Sequence, residues 1–167
     1  MGTADVALTI RAVRPDDDDD LWGLLEPVIR AGETYALART LTRDQALRYW
    51  TGADRETFVA EVGGRVVGTY YLKANQAGGG SHVANCGYVS AQDQTGKGIA
   101  RAMCTHSLAA ARERGFRAMQ FNLVVSTNTR AVALWKSFGF EVVGQLPRAF
   151  QHPVYGEVDA FVMYRLL

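Results

Sequence analysis

Two glycines bracket a lysine in Thr95-Gly96-Lys97-Gly98-Ile99-Ala100, directly after an apolar run that ends at Val89 and directly before an amphipathic stretch from Ile99 to Arg114. A strand, a glycine loop and a helix in that order build an anion site. Without side chains at Gly96 and Gly98, the backbone N–H groups of the loop and of the first helical turn can approach a phosphate, and the helix dipole adds partial positive charge. The spacing suits a pyrophosphate-bearing cofactor. A magnesium-dependent nucleotide loop needs Ser or Thr after its lysine, where this chain has Gly98, and a dinucleotide fingerprint needs glycine where it has Arg101. ATP and NAD are both disfavoured.

The loop resembles the pyrophosphate loop of the GCN5-related N-acetyltransferases (GNAT), written Arg/Gln-x-x-Gly-x-Gly/Ala. About thirty residues on, Asn128-Thr129-Arg130-Ala131-Val132-Ala133-Leu134-Trp135-Lys136-Ser137-Phe138-Gly139-Phe140 resembles that family's second signature: an Asn, an Ala, an aromatic position and a closing Gly-Phe. The resemblance implies acetyl-CoA as cofactor and a GNAT fold, with one mixed sheet of about seven strands flanked by about four helices and a splayed strand pair that holds acetyl-CoA. It further implies that backbone around Val89, Ser90 and Ala91 pairs with pantetheine. Thr95, Gly96, Lys97, Gly98, Ile99 and Ala100 then hold the pyrophosphate, and Asn128 contacts the pantetheine arm. The segments His82-Val83-Ala84-Asn85-Cys86-Gly87 and Phe121-Asn122-Leu123-Val124, with Thr127-Asn128 and Trp135, are similar to the fungal azetidine-2-carboxylate and proline-analogue acetyltransferases. That narrower likeness covers the C-terminal half and implies N-acetylation of an amino or imino acid by direct transfer in a ternary complex.

The splayed pair corresponds here to the strands Val83–Val89 and Ala118–Val124. Period-two geometry puts Asn85, Gly87 and Val89 on one face of the first, and Gln120, Asn122 and Val124 on one face of the second. Asparagine is depleted in strands and offers both donors and an acceptor, so Asn85 and Asn122 are the candidate catalytic residues that orient the acceptor. The alternative is that each amide satisfies a bulged backbone. Glu33 and Tyr35, in a loop expected to roof the acceptor pocket, and His152, in the late loop, are candidate substrate contacts. An attacking amine must also lose a proton, since a pKa of roughly 8 or more leaves it charged at neutral pH. Glu33, His82, His152 and Asp159 compete as bases with a path through ordered water.

Two residues depart from the family pattern. Thr95 stands where Arg or Gln is usual, and Trp135 stands where many members carry the Tyr that reprotonates the thiolate; Trp135 reads as core, on one stripe with Ala131, Leu134 and Phe138. Tyr88 and Tyr155 are the replacement proton donors to consider. The two departures also motivate a second reading, a catalytically weak acyl-CoA-binding regulatory module. Protein N-terminal amines and aminoglycosides are alternative acceptors.

The elements that must position these residues follow from periodicity. Val6–Val13 alternates as a strand, and Asp16 to Asp20 opens a helix whose stripe is Leu21, Leu24, Leu25 and Val28, with Pro27 expected to kink or stop it. A short helix is read over Thr42–Trp50, a hairpin over Phe58–Val62 and Val66–Leu72 around Gly63-Gly64, and closing strands over Phe140–Val143 and Val158–Leu166. The reading is a mixed α+β chain with a single N-acetyltransferase domain over residues 1–167. Eighteen Lys plus Arg against seventeen Asp plus Glu leave a net charge of +1, which fits neither a nucleic-acid footprint nor a polybasic membrane anchor. Cys86 and Cys104 lack metal-ligand spacing, and no basic stretch with a long apolar run opens the chain, so no metal and a reduced cytoplasmic setting are expected. A homodimer through the closing strands is a further expectation from the resemblance.

Overall fold

The structure, a computed structural model, describes residues 6–167, so residues 1–5 of the expected domain lie outside the described residues. Its elements in chain order are β1 (Leu8–Ala12), α1 (Asp18–Ala31), α2 (Arg43–Trp50), β2 (Arg55–Val62), β3 (Arg65–Ala74), β4 (Val83–Ser90), α3 (Ile99–Glu113), β5 (Ala118–Val125), α4 (Thr129–Ser137), β6 (Glu141–His152) and β7 (Gly156–Leu166). The seven strands form one sheet in the order β1-β2-β3-β4-β5-β7-β6. All neighbours are antiparallel except β4 and β5, which are parallel. Among the described residues no helix is long and apolar enough to cross a membrane.

Alternation along β3 divides the core in two. Thr69 and Tyr71 face α2, where the Trp50 indole N–H donates to Thr69 Oγ1 at 2.9 Å and Thr69 donates on to Phe58 O at 2.8 Å. Tyr70 faces α3 and pairs with His106 Nδ1 at 2.6 Å. Helix α1 packs beside α2 through Leu21, Leu24, Leu25 and Ile29, all buried.

Two sequence expectations need correction, and a third holds. Helix α1 stops near Pro27 as expected, though not at the ring itself. It runs four residues further, to a left-handed Gly32 (φ 65°) whose N–H bonds Val28 O at 3.3 Å. Pro27 and Gly23, four residues before it, are both exposed, so water satisfies the carbonyl that the ring deprives of its partner. The strand expected over Phe140–Val143 runs instead from Glu141 to His152. It is an edge strand, which is where Pro147 is tolerated, and a register shift between Leu146 and Phe150 accommodates Arg148 at φ 53°. Its exposed outer face hides the alternation that would have marked it.

The second correction concerns β5. Phe121 pairs with Met163 and Val124 with Phe161, so Asn122 and Leu123 together oppose one residue of β7. That bulge puts Val124 out of phase with Asn122, and Val124 is buried while Asn122 is exposed.

Candidate active site

The site begins where the sheet opens. Strands β4 and β5 pair only at Val83 with Ala118 and Ala84 with Met119, and then diverge. On its other side β4 is fully paired with β3, with Asn75 N–H donating to Val83 O and Ala91 N–H to Val67 O, each at 2.8 Å. In an antiparallel pair alternate residues turn their backbone to the partner, so Val83, Asn85, Gly87, Val89 and Ala91 serve β3. The backbone of Cys86, Tyr88 and Ser90 therefore faces the gap. Within the expected segment the backbone groups of Val89 and Ala91 are engaged by β3, while those of Ser90 and, bridged by the Tyr35 hydroxyl, of Tyr88 face the gap.

The gap is part of a cleft of about 1030 Å³. Of the residues singled out from the sequence, Asn85, Asn122, Tyr35, Val89, Ser90 and Asn128 line it, as do Thr95, Gly96, Gly98, Ile99 and Ala100 of the loop. Ala91, Lys97, Glu33 and His152 do not. Lys97 and Glu33 are exposed. His152 is 5 % exposed and accepts at Nδ1 from the N–H groups of Val154 and Tyr155, at 3.1 and 3.3 Å, so it organises the turn between β6 and β7. Asp159 serves the same hairpin: its carboxylate accepts from Arg148 N–H at 2.9 Å and from Gln145, contacts that hold its pKa below the usual carboxylate value. His82 is likewise absent from the lining, so none of the four candidate bases stands in the cleft.

At the phosphate end Gly96 and Gly98 hold φ values of 81° and 79°, a region that L side chains rarely adopt, and a Cβ on either would meet open space. Close approach and positive φ explain these two glycines. Among the described residues none accepts from the N–H groups of Gly96, Gly98, Ile99 or Ala100, which leaves a row of donors at the start of α3. Arg101 and Arg130 also line this end, and sequence reading missed both. They supply the positive charge that Thr95 lacks, Thr95 being occupied by a 2.8 Å bond from its hydroxyl to Gln92 O. The signal was their position in the first turns of α3 and α4, the two helices that open onto the cleft. Asn128 caps α4, its Oδ1 accepting from Ala131 N–H at 3.3 Å, which leaves its amide N–H groups for a ligand.

At the other end Asn85 is 8 % exposed, and its Nδ2 donates to Gln120 O at 2.9 Å, bridging β4 to β5 just beyond their last paired residues. Asn122 sits at the mouth. Its Oδ1 accepts from Gln120 Nε2 at 2.8 Å and its Nδ2 donates to Asn75 Oδ1 at 2.7 Å. Both asparagines therefore reach the cleft while being held by backbone or amide partners. Tyr35 arches over from the loop after α1. Its hydroxyl lies 2.7 Å from both Tyr88 O and Tyr88 N, donating to one and accepting from the other. Its ring stands edge-on to Trp50 at 5.9 Å, and Tyr49 and Tyr71 extend this aromatic wall. Tyr71 lies over Gly87, where a Cβ would come within 2.6 Å of its Cε1, so only glycine leaves room for the ring.

The proton-transfer candidates resolve by burial. The Tyr88 side chain lies under the sheet, bonded to Ser107 Oγ at 2.7 Å, and desolvation raises its pKa far above a normal phenol. Tyr155 is exposed and stacks on His152. Trp135 is 8 % exposed and packs against Tyr88 and Phe121, each at 4.9 Å between centroids, which makes it a core residue with an edge on the cleft. Cys86 also lines the cleft, but burial pushes its thiol up to about 12, so it carries no thiolate to act as a nucleophile.

Comparison with known proteins agrees with this geometry. A family model described as "Acetyltransferase (GNAT) family" matches residues 25–140. The N-acetyltransferase aca1 of Schizosaccharomyces pombe is 27 % identical over 151 residues, covering 80 % of this chain and 72 % of that protein. Among solved structures, a GCN5-related N-acetyltransferase from Kribbella flavida superposes with a TM-score of 0.92 at 41 % identity, over 96 % of this chain and 98 % of the other. A phosphinothricin acetyltransferase from Sinorhizobium meliloti, in complex with AcCoA, superposes at 0.83 with 22 % identity over 96 % and 88 % and shares the fold. With the family model spanning more than half of the chain and the open β4–β5 pair running into a glycine loop, the chain belongs to the GNAT acetyltransferases.

Proposed function

We propose that this protein transfers the acetyl group of acetyl-CoA directly to a small primary or secondary amine, an amino or imino acid, with both substrates bound together in the cleft. The observation that carries the reading is the opening between β4 and β5, which presents the backbone of Tyr88 and Ser90 and leads straight to the unpartnered N–H groups of Gly96 and Gly98. When bound there, acetyl-CoA supplies an activated acyl group. The chain's own part is to hold the pyrophosphate with the loop, Arg101 and Arg130, to grip the pantetheine arm through Tyr88, Ser90 and Asn128, and to orient the amine with Asn85 and Asn122.

Direct transfer is supported by Cys86. A thiol with its pKa pushed up to about 12 is the wrong species to take an acetyl group from a thioester, so an acyl-enzyme route has no nucleophile on this wall. With no carboxylate or imidazole among the cleft-lining residues, the acceptor's proton leaves through water at the Asn122 mouth. The departing thiolate needs no strong acid, since a thiol pKa is only about 8.5. Catalysis then rests on orientation and on backbone donors more than on acid–base chemistry.

The test is thiol release from acetyl-CoA against L-amino acids, cyclic imino acids, aminoglycosides and short peptides, with CoA affinity measured in parallel. Selective turnover with the amino or imino acids is the expected result. Tight CoA binding with no turnover on any amine would overturn the enzyme assignment in favour of an acyl-CoA-binding module, and turnover confined to peptides or aminoglycosides would overturn the acceptor class.

A further inference from the structure

We infer that Arg55, with Lys73 beside it, is the anchor for a carboxylate on the acceptor. The inference rests on the proposed reading of Asn85 as the residue that faces the amine, and it names what the opposite end of the same molecule must carry.

Arg55 opens β2, and its side chain is only 9 % exposed. Its guanidinium lies over two rings, 4.7 Å from the centre of Tyr71 and 4.9 Å from that of Tyr49, and both rings line the cleft. One edge of the fork is taken: Nε and Nη2 donate to the two oxygens of Asp54, at 2.8 and 3.2 Å. The Asp54 side chain is 58 % exposed, and its two contacts leave one edge of the guanidinium unengaged. That edge is Nη1. Among the described residues it is the one buried side-chain nitrogen or oxygen without a hydrogen-bond partner. Buried donors are satisfied in native proteins as a rule, and this cationic one lies behind Tyr49 and Tyr71, which line the cleft although Arg55 and Lys73 do not, so a ligand acceptor meets it where those rings part.

Strand register ties this group to the amine end. Arg55 pairs with Lys73 across β2 and β3, and Lys73 pairs with Asn85 across β3 and β4. Cross-strand partners share a face of the sheet, so the three side chains form one row at right angles to the strands. Strands about 4.8 Å apart put the ends of that row roughly 10 Å from each other at Cα level, a span that an arginine side chain and a small amino acid bridge together. Lys73 Nζ lies 3.3 Å from Asp54, so Asp54, Arg55 and Lys73 sum to one net positive charge, which one carboxylate neutralises. Tyr71 and Tyr49 supply the flat apolar surface beside it. The acceptor class is a carboxylate-bearing amine, held with its amine toward Asn85 and its carboxylate toward Nη1 of Arg55.

The experiment compares kcat/KM, each calculated on the concentration of neutral amine, for an amino acid and for its primary carboxamide, matched in side chain, in the native protein and in the Arg55→Gln and Arg55→Lys variants, with the melting temperature of each. A charge-assisted contact predicts that the native protein prefers the acid by about tenfold to a hundredfold, and that Arg55→Gln brings the ratio near one while still acetylating the carboxamide. Arg55→Lys keeps the charge and stem and retains part of the preference, so it decides the matter should the glutamine variant fail to fold. A native ratio near one, or a ratio that neither variant changes, overturns the carboxylate anchor while amine acetylation itself stands. Absence of turnover on every amine refutes the underlying function instead, so the two failures are separable.

Discussion

Replacing Tyr35 with Phe separates what the tyrosine does for the free protein from what it does for the loaded one. The ring's contact with Trp50 at 5.9 Å survives the change, and only the hydroxyl is lost, together with its two 2.7 Å bonds to the Tyr88 peptide. Each such bond contributes about 0.5–1.5 kcal/mol net, so the ligand-free variant should lose about 1–2 kcal/mol once water at the cleft is allowed to solvate Tyr88. For a chain of this length that is a drop of roughly 2–8 °C in melting temperature. If the pantetheine arm pairs with Tyr88, however, it must first displace the hydroxyl, which occupies the same donor and acceptor. In the variant nothing is displaced, and acetyl-CoA should bind about 5- to 30-fold more tightly for the same 1–2 kcal/mol. Titration calorimetry measures the affinity, and quenching of tryptophan fluorescence, with Trp135 on the cleft, gives a second readout. A variant that melts lower yet binds acetyl-CoA no better, or more weakly, would refute the argument and show that the hydroxyl stays on Tyr88 when the cofactor is present.

Asn85→Ala should lower kcat by well over tenfold while changing the Kd for acetyl-CoA less than threefold, on the order expected when an orienting contact is lost but the phosphate loop is intact; equal losses in both would remove Asn85 from the acceptor role. Asp17 accepts from Arg11 at 2.8 and 2.9 Å and from Arg14 N–H at 2.6 Å, and the Arg11 guanidinium holds its pKa below the usual 3.8. A depressed folded pKa contributes stability that is present above the unfolded value and is lost as pH falls through the folded one. Asp17→Asn should therefore destabilise the protein by about 1–3 kcal/mol at pH 7, and urea melts of native and variant should converge as pH falls through the lowered pKa of Asp17; a gap that persists in acid would mean that packing, not charge, carries the effect.

The frame was legible because its signals are local. Alternation placed β3, β4 and β5 within a few residues, and the glycine loop before α3 follows from two residues whose φ values no other side chain accepts comfortably. Local signals failed where water or a distant partner decides the outcome. Pro27 marks the helix end only to within a turn, because its position on the exposed side of α1 lets water do what the backbone cannot. The length of β6 was hidden because an edge strand with an exposed face carries no apolar alternation. The bulge at Asn122 and Leu123 shows only in the register with β7, some forty residues away, and without it the face of Val124 was assigned in the wrong phase.

The site divides along the same line, and the division bears on how such clefts are read. Asn85 and Asn122 stood out because asparagine is an uncommon strand residue, a property of the position itself. Arg55 did not stand out: beside Asp54 it has the look of a surface ion pair, of the kind worth little in water. What changes its meaning is that Tyr49, from α2, and Tyr71, from β3, close over it and bury its free edge. Tyr35 reads from the sequence as a substrate contact, but its hydroxyl is committed to a peptide fifty-three residues away. Residues that grip the part of the ligand common to a family are visible as motifs because the backbone must take one shape to do it. Those that choose the acceptor arise where separate elements meet, and the row proposed for it, Arg55, Lys73 and Asn85, crosses three strands that no stretch of sequence contains.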